Sequence, residues 1–581
     1  MEAATRTTAT RPAATQPKAT RPTATRTTAI RASFGLTGAT IAALAVLVAL
    51  PLAFVFLQAI FPALAQGRFT EPFGHLGRTL GDPALLELTL NTLKLGACVV
   101  ALAALIGIPL GTLRGLFNVP FARVWDVVLL VPFMIPPYIA ALGWIMLLQP
   151  RGYVQQLVGV HAGPLLFSFG GVVFVMTLNV LPVVYFAVSR GMAASGSRLA
   201  DVGRVCGGGA WRCFWRISLP LATPGIAASL LLVFAMAIEE YGTPAALAAN
   251  AGFFVLVTGI ERRFSEWPID LPGASTLSLI LVALAMLAFM FQRRLMRGRT
   301  FETATGKPID VELRALGPWR LPVTALFALV ALVATVAPLC AIVATAFSRT
   351  LSGGLALSNL SWVHFRAIAQ TGGDAMQALG TSLALGLGAA LLTGVLGLLV
   401  AYCVVKTRTR GRVLLDALAM LPNTLPGIVV GVGLILAWNQ KWWPATPYNT
   451  WGILLLAYCC LLLPYPVRYA QAALQQIGDS LEAAARVHGA GAVTALVRIL
   501  LPLLAPSLLA AMLLVFAVAS RELVASLLLA PTGVQTVSLF IWRQFEQGSV
   551  GQGMAMSVVT VLVTTSLMLT VTLWTQRRAA R

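Results

Sequence analysis

Charge is what this chain has least of. Only 10% of its 581 residues are Asp, Glu, Lys or Arg, and acids number 20 against 41 basic residues. A soluble globular chain carries about 25% charged residues. With 58% hydrophobic residues and a mean hydropathy of +0.84, this chain would expose far too much apolar surface in water, so it belongs in a bilayer. Histidine is scarce, four residues well scattered, which excludes a zinc-type cluster, and no metal site is expected. Seven cysteines (Cys98, Cys206, Cys213, Cys340, Cys403, Cys459 and Cys460) form no CxxC pair and read as small apolar side chains rather than a disulfide framework. There is no GxxxxGK[ST] motif, and Gly306-Lys307-Pro308 is not one, so the usual P-loop for ATP is excluded. Nucleophile elbow, HExxH and concentrated acid/base pairs are missing too; no catalytic residue and no cofactor are expected in this chain.

The net charge of +21 could suggest nucleic acid. The basic residues instead fall in short loops between apolar spans, which the positive-inside rule explains better, so no nucleic-acid partner is expected; membrane lipid is. Residues 1–33 read as a disordered basic cytoplasmic tail of Thr, Ala, Pro and Arg with almost nothing to bury. The apolar run after it exceeds a signal-peptide core, so it reads as a first membrane helix.

A crossing needs about 20 apolar residues at about 1.5 Å each. That rule finds six spans per half: roughly 36–64, 88–113, 124–148, 165–189, 221–245 and 273–292, then 321–347, 378–405, 413–438, 450–475, 503–529 and 553–575. With the amino end inside, the inner connections collect Arg114, Arg123, Arg190, Arg198, Arg204, Arg212, Arg216, Arg293, Arg294, Lys406 and Arg412, and outer loops hold Glu71, Asp82, Glu87, Glu261, Glu266, Asp270 and Asp374. Both chain ends are therefore expected in the cytoplasm. The expected fold is all-α: a polytopic membrane protein of about twelve helices in two parallel six-helix repeats, 34–292 and 321–576, joined by a polar cytoplasmic linker at 293–320, with a tail at 577–581.

The repeat itself is visible. DVGRVCGGGAWRCFWRISLP (201–220) faces EAAARVHGAGAVTALVRILLP (482–502) at an offset of 282. Gly207 and Gly489 each precede an isoleucine (Ile217, Ile499) by ten residues, and Leu219-Pro220 and Leu501-Pro502 follow. Such a pattern at fixed offset marks internal duplication. Upstream, VPFMIPPYIAALGW (131–144) faces LPNTLPGIVVGVGL (421–434), with Pro132 and Pro136 matching Pro422 and Pro426. Proline removes a backbone hydrogen bond, so these pairs predict kinks in the third and ninth spans that line a pathway or pack. Gly427, Gly431, Gly433, Gly386, Gly388, Gly394 and Gly397 predict close packing between the halves. Glu239, Glu240 and Tyr241 end the fifth span; Arg521 and Glu522 end the eleventh. They predict either a polar ring at a pore mouth or solvated caps.

The pattern Gly-x9-Ile-x-Leu-Pro resembles the cytoplasmic EAA loop of bacterial ABC-importer permeases, whose consensus reads EAA, three residues, Gly, nine residues, Ile-x-Leu-Pro. Counted back from the glycine, the family's Glu position holds Asp201 in the first copy and Ala483 in the second, with Glu482 one residue early. The resemblance implies a fused permease of a type I importer in the bacterial inner membrane. It implies an ABC ATPase dimer bound to both loops and a periplasmic substrate-binding protein docked outside. IEEYGTP (238–244) and RELVASLLLAP (521–531) look most similar to the ferric iron permeases, with Val524 and Ser526 where proline and threonine are usual. Phosphonate (2-aminoethylphosphonate), thiamine and polyamine permeases are close relatives and remain alternatives. An ion-gradient-driven transporter of twelve spans is the rival from another class; it would place ionisable residues in mid-span, whereas most charges here lie at span ends.

Overall fold

A computed structural model describes residues 37–196, 198–296, 313–370, 372–407 and 411–579. The expected tail at 1–33 and most of the expected linker lie outside the described residues. Among the described residues nine continuous helices are long and apolar enough to cross a membrane: Thr37–Ile60, Pro83–Leu116, Phe169–Ala193, Ala210–Glu239, Leu271–Leu295, Gly317–Phe347, Asp374–Val405, Val493–Ala519 and Val550–Leu567. Three more candidates are bent pairs, which makes twelve spans if each pair crosses once. No β-strand beyond isolated bridges occurs among the described residues. The sixth span runs on to Leu295 and the seventh starts at Gly317, so the connection is shorter than the expected 293–320. The last helix continues to Ala579, through part of the expected tail.

The third and ninth spans are not merely kinked. Ala122–Met134 and Pro137–Val158 turn through 99°, and Arg412–Thr424 and Gly427–Trp438 through 114°. The cause is local. A residue before proline is pushed out of the helical region: Ile135 (ψ 132°) precedes Pro136, and Leu425 (ψ 121°) precedes Pro426. Pro136 and Pro426 are themselves extended, at ψ 134° and 138°. The tenth span is two helices as well, Trp451–Leu462 and Pro464–Gln476, bent 44° at a proline the sequence reading passed over.

Elsewhere proline leaves a milder trace. Wide π-type turns lie at Ala45–Ala49 and Leu332–Val336, just before Pro51 and Pro338, and at Phe214–Ser218 and Leu496–Leu500, just before Pro220 and Pro502. Each absorbs a carbonyl that proline cannot bond. The duplication thus reaches the details of the backbone.

The halves interlock. The first span packs on Gly427–Trp438 of the second half, and the seventh on Pro137–Leu148 of the first. These two legs are buried almost all round, from Tyr138 to Met146 and from Ile428 to Ala437, as expected of helices with no polar face. Gly143 and Gly433 are repeat equivalents. A Cβ on Gly143 would meet the Pro338 carbonyl oxygen at 2.9 Å, and one on Gly433 the Pro51 carbonyl oxygen at 2.7 Å. Small residues here let backbones touch. Gly433 therefore packs the halves together as expected. Gly386, Gly388, Gly394, Gly397 and Gly431 do not: their nearest neighbours (Phe516, Leu455, Met512, Pro466 and Leu528) all belong to the second half. Two hydroxyl bonds also cross between halves: Thr335 donates to the Val128 carbonyl at 2.9 Å, and Tyr153 and Thr345 form a buried pair at 2.8 Å.

Candidate functional site

Two regions hold the residues singled out from sequence. The first is the pair of repeated loops. In each, a short helix (Arg198–Val205, Asp479–Val487) ends in a glycine and a second helix leads into the next span. Gly207 has φ +87° and Gly489 φ +81°. The Gly208 amide donates to the Gly203 carbonyl at 2.9 Å and the Ala490 amide to the Ala485 carbonyl at 3.0 Å. This is the six-to-one bond of a Schellman ending, which needs a left-handed residue and selects glycine. Space around both glycines is open, so backbone angle alone constrains them.

Ile217 turns back onto the short helix. A Cβ on Gly203 would meet its Cδ1 at 2.7 Å, so Ile217 packs the loop together. Leu219 is half-buried and Pro220 exposed; in the second loop Ile499 and Leu501 are half-buried and Pro502 is exposed. Glu482 is buried and accepts a 3.1 Å bond from the Tyr402 hydroxyl. It ties its loop to the eighth span, where Lys406 also bonds Asp479 at 2.6 Å and the Ile477 carbonyl at 2.8 Å. Asp201 lies in the helix Arg198–Val205; its side chain is outside those described. Sequence reasoning missed the outward apolar faces. Val205 and Val487, repeat equivalents, are 90% and 84% exposed, and Trp211 is 73% exposed. Their signal was present: apolar side chains recurring at one register of both loops, Val205 with Val487 and Trp211 with Val493.

The second region lies at the other end of the same spans. The Glu240 carboxylate accepts from the Thr243 amide at 3.0 Å through both oxygens, capping the helix Gly242–Leu247. Glu522 does the same in the second half: its Oε1 accepts from the Val524 and Ala525 amides at 3.2 and 3.3 Å, at the start of Val524–Leu529. Carboxylates suit helix amino ends, where amides are unpaired. Neither is a freely solvated cap, because Glu239, Glu240 and Glu522 are all partly buried. Glu240 and Arg521 line one cavity of about 190 Å³ beside the broken third span, with Pro132, Pro137, Asn179 and Thr243. No Arg521–Glu240 ion pair forms; Arg521 instead donates to the Met134 carbonyl. Glu522 sits by the ninth-span break, its Oε1 3.9 Å from where a Gly427 Cβ would stand. Pro136 and Pro426 begin the inner legs, and Pro422 is buried in the turn Leu421–Thr424. Tyr241 is buried in packing, its ring 6.3 Å from that of Trp542. The structure therefore joins Pro132, Glu240 and Arg521, and leaves Tyr241 and the second-half prolines out of that cavity. Asn179 and Thr243 were not singled out from sequence, because lone amides and hydroxyls in apolar runs carry no pattern.

Comparison with known proteins matches this duplication. The family described as "Binding-protein-dependent transport system inner membrane component" matches twice, at residues 107–300 and 393–581. The ferric transport system permease protein FbpB of Actinobacillus pleuropneumoniae is 25% identical over 500 residues, 85% of this chain and 72% of that protein. The Fe(3+)-transport system permease protein FbpB 2 of Haemophilus influenzae is 25% identical over 508 residues, 86% and 91% of the two chains. The putative 2-aminoethylphosphonate permease protein PhnV of Salmonella typhimurium is 28% identical over 232 residues, 40% of this chain but 86% of that one. A single-repeat relative is thus spanned by one half of this chain. With its loops, broken spans and family match all present twice, this chain belongs to the binding-protein-dependent transport system inner membrane components, the permeases of ABC importers.

Proposed function

We propose that this chain supplies both halves of the membrane pore of a ferric iron importer in one polypeptide. The observation that carries the substrate is the length of the likeness. Ferric permeases align over 85% and 86% of this chain, both repeats included. The two repeats are the units 34–292 and 321–576, joined through 293–320.

An ABC ATPase dimer binds the two repeated loops, and a substrate-binding protein docks at the opposite face. The loops are separated by an even number of spans, so they emerge on one side, which we assign to the cytoplasm with both chain ends. Support comes from the loops' surfaces. Exposed Val205, Trp211 and Trp215 in the first, and Val487 and Val493 in the second, form apolar patches of the kind that mark partner sites. Gly207 and Gly489 set the turn between short helix and docking segment; Ile217, Leu219 and Pro220, with Ile499, Leu501 and Pro502, fix that segment to its span. Glu482 and Asp201 act within the loops. ATP hydrolysis belongs to the partner, and the chain itself converts between two packings of its halves, as transport by alternating access requires.

Uptake of labelled ferric citrate, and separately of labelled 2-aminoethylphosphonate, in cells lacking only this chain tests the reading. Loss of iron uptake alone, restored by the intact chain, is expected. Loss of phosphonate uptake alone keeps the machinery and replaces the substrate.

A further inference from the structure

The second helix of the tenth span, Pro464–Gln476, carries a stripe that its counterpart in the first half lacks. Tyr465, Arg468 and Tyr469 share one helical face, and all three are exposed. Pro464 matches Pro182 at the offset of 282, so Val183, Phe186 and Ala187 hold the equivalent places; they are apolar and half-buried. The duplicated fold therefore does not require a guanidinium or phenols here. An ionisable side chain within a span faces the protein interior or a water-filled path and is functional by default.

That face lines two adjoining cavities of about 570 and 230 Å³, which share Phe289, Met420 and Arg468. They lie between the halves: Phe289 and Arg293 belong to the sixth span, Met420 and Arg468 to the ninth and tenth. Arg293 is near the end of the sixth span, and Gln476 leads into the second repeated loop, so the cavities lie toward the loop end of the spans. The larger volume is that of a small-molecule site, about 300–1,000 Å³.

Charge gives the class. The larger cavity holds two guanidiniums, Arg293 and Arg468, against one carboxylate, Asp416; the smaller adds no acid but the exposed Asn423 amide and the hydroxyls of Tyr465 and Tyr469. Asp416 has a repeat equivalent in Asp126, which is neutralised by contact with Arg114 at 2.8 Å and accepts from the Tyr185 hydroxyl at 2.7 Å. Asp416 accepts from the Gln471 amide at 2.7 Å instead, and among the described residues it forms no ion pair with Arg293 or Arg468. Arg468 makes one long bond, 3.5 Å to Gln471 Oε1, out of five N–H donors. Guanidinium forks match paired oxygens of carboxylate and phosphate-like groups. A bare multivalent cation would meet net positive charge here, whereas rings of Arg along a path select anions.

We propose that this cavity is a transit site for an anionic, oxygen-rich solute, held by Arg468 and Arg293 with Tyr465, Tyr469 and Asn423 as further donors. On the ferric reading above, on which only the cargo rests, iron crosses here as a carboxylate chelate of net negative charge.

The test uses the permease assembled with its ATPase and binding protein in phosphatidylcholine proteoliposomes, with ferric citrate labelled with both ⁵⁵Fe and ¹⁴C. In the wild type both labels are expected to accumulate together; iron entering without carbon overturns the proposal and leaves the ferric reading standing. Arg468→Phe installs the residue that the first half already carries at this place, and co-purification with the ATPase reports that it has folded. It is expected to raise the transport KM at least tenfold, while Arg468→Lys, which keeps charge but not the fork, stays within about threefold of wild type. Wild-type KM in Arg468→Phe overturns the site. So does a loss that appears only when phosphatidylglycerol is added to the vesicles, because the guanidinium then serves a lipid headgroup. A wild-type complex that imports 2-aminoethylphosphonate and not iron overturns the ferric reading; the site then stands if Arg468→Phe raises the phosphonate KM tenfold, and falls if it does not. Should Arg468→Phe fail to co-purify, the label ratio in the wild type decides alone.

Discussion

The Arg521 guanidinium donates to the Met134 carbonyl, joining the two halves of the chain across 387 residues. Met134 is the last residue of the helix Ala122–Met134, whose final carbonyls have no partner within the helix. A cation suits that end. The bond thus couples the end of the eleventh span to the break in the third.

Removing that bond should loosen the halves in this conformation. Arg521→Met is expected to cost about 1.5–3 kcal/mol, the usual range for a hydrogen bond from a charged group. Thermal unfolding of the purified complex should shift downward and uptake should fall. An unchanged melting curve and unchanged uptake would show that Arg521 does not join the halves.

The loop glycines should obey backbone angle, not volume. Both sit at positive φ in open space. A left-handed conformation costs an ordinary residue about 1–2 kcal/mol, least for Asn and most for β-branched side chains. Gly489→Val should therefore weaken ATPase co-purification and uptake severely, and Gly489→Asn only mildly. Equal loss in both would point to size instead.

Contact between the halves should be intolerant of a single methyl. Gly143→Ala and Gly433→Ala push a Cβ against the carbonyls of Pro338 and Pro51. Backbone cannot swing aside as a flexible side chain can, and overpacking costs about 1–3 kcal/mol. Gly225, inside the fifth span with nothing within 4 Å, is the control: Gly225→Ala should be neutral or stabilise by about 0.5–1 kcal/mol. Melting temperatures in detergent would rank the three, and equal shifts would refute the close approach.

The second loop should depend on its anchor. Tyr402→Phe removes the hydroxyl that Glu482 accepts. A loss of about 1 kcal/mol is expected, felt as increased proteolysis of residues 479–491 with the rest of the chain unaffected. Cleavage of that segment at the wild-type rate would mean that the bond contributes nothing to the loop.

Much of this protein is written in its order of residues. Hydropathy sets the medium, because apolar surface has nowhere else to go. A repeated Gly-x9-Ile-x-Leu-Pro carries its own reason, since only glycine ends a helix cheaply at positive φ, and both copies do so. Leu425 before Pro426 and Ile135 before Pro136 encode the breaks locally. What the chain order could not say is which partners meet across distance. That Glu482 faces Tyr402, that the first span packs on the other half, and that Asn179, Thr243 and Glu240 share one cavity follow from packing, where every contact depends on all the others at once. A kink and a 114° break also read alike in sequence. The difference lies in how much neighbouring structure can surround the freed backbone, which only the tertiary structure decides.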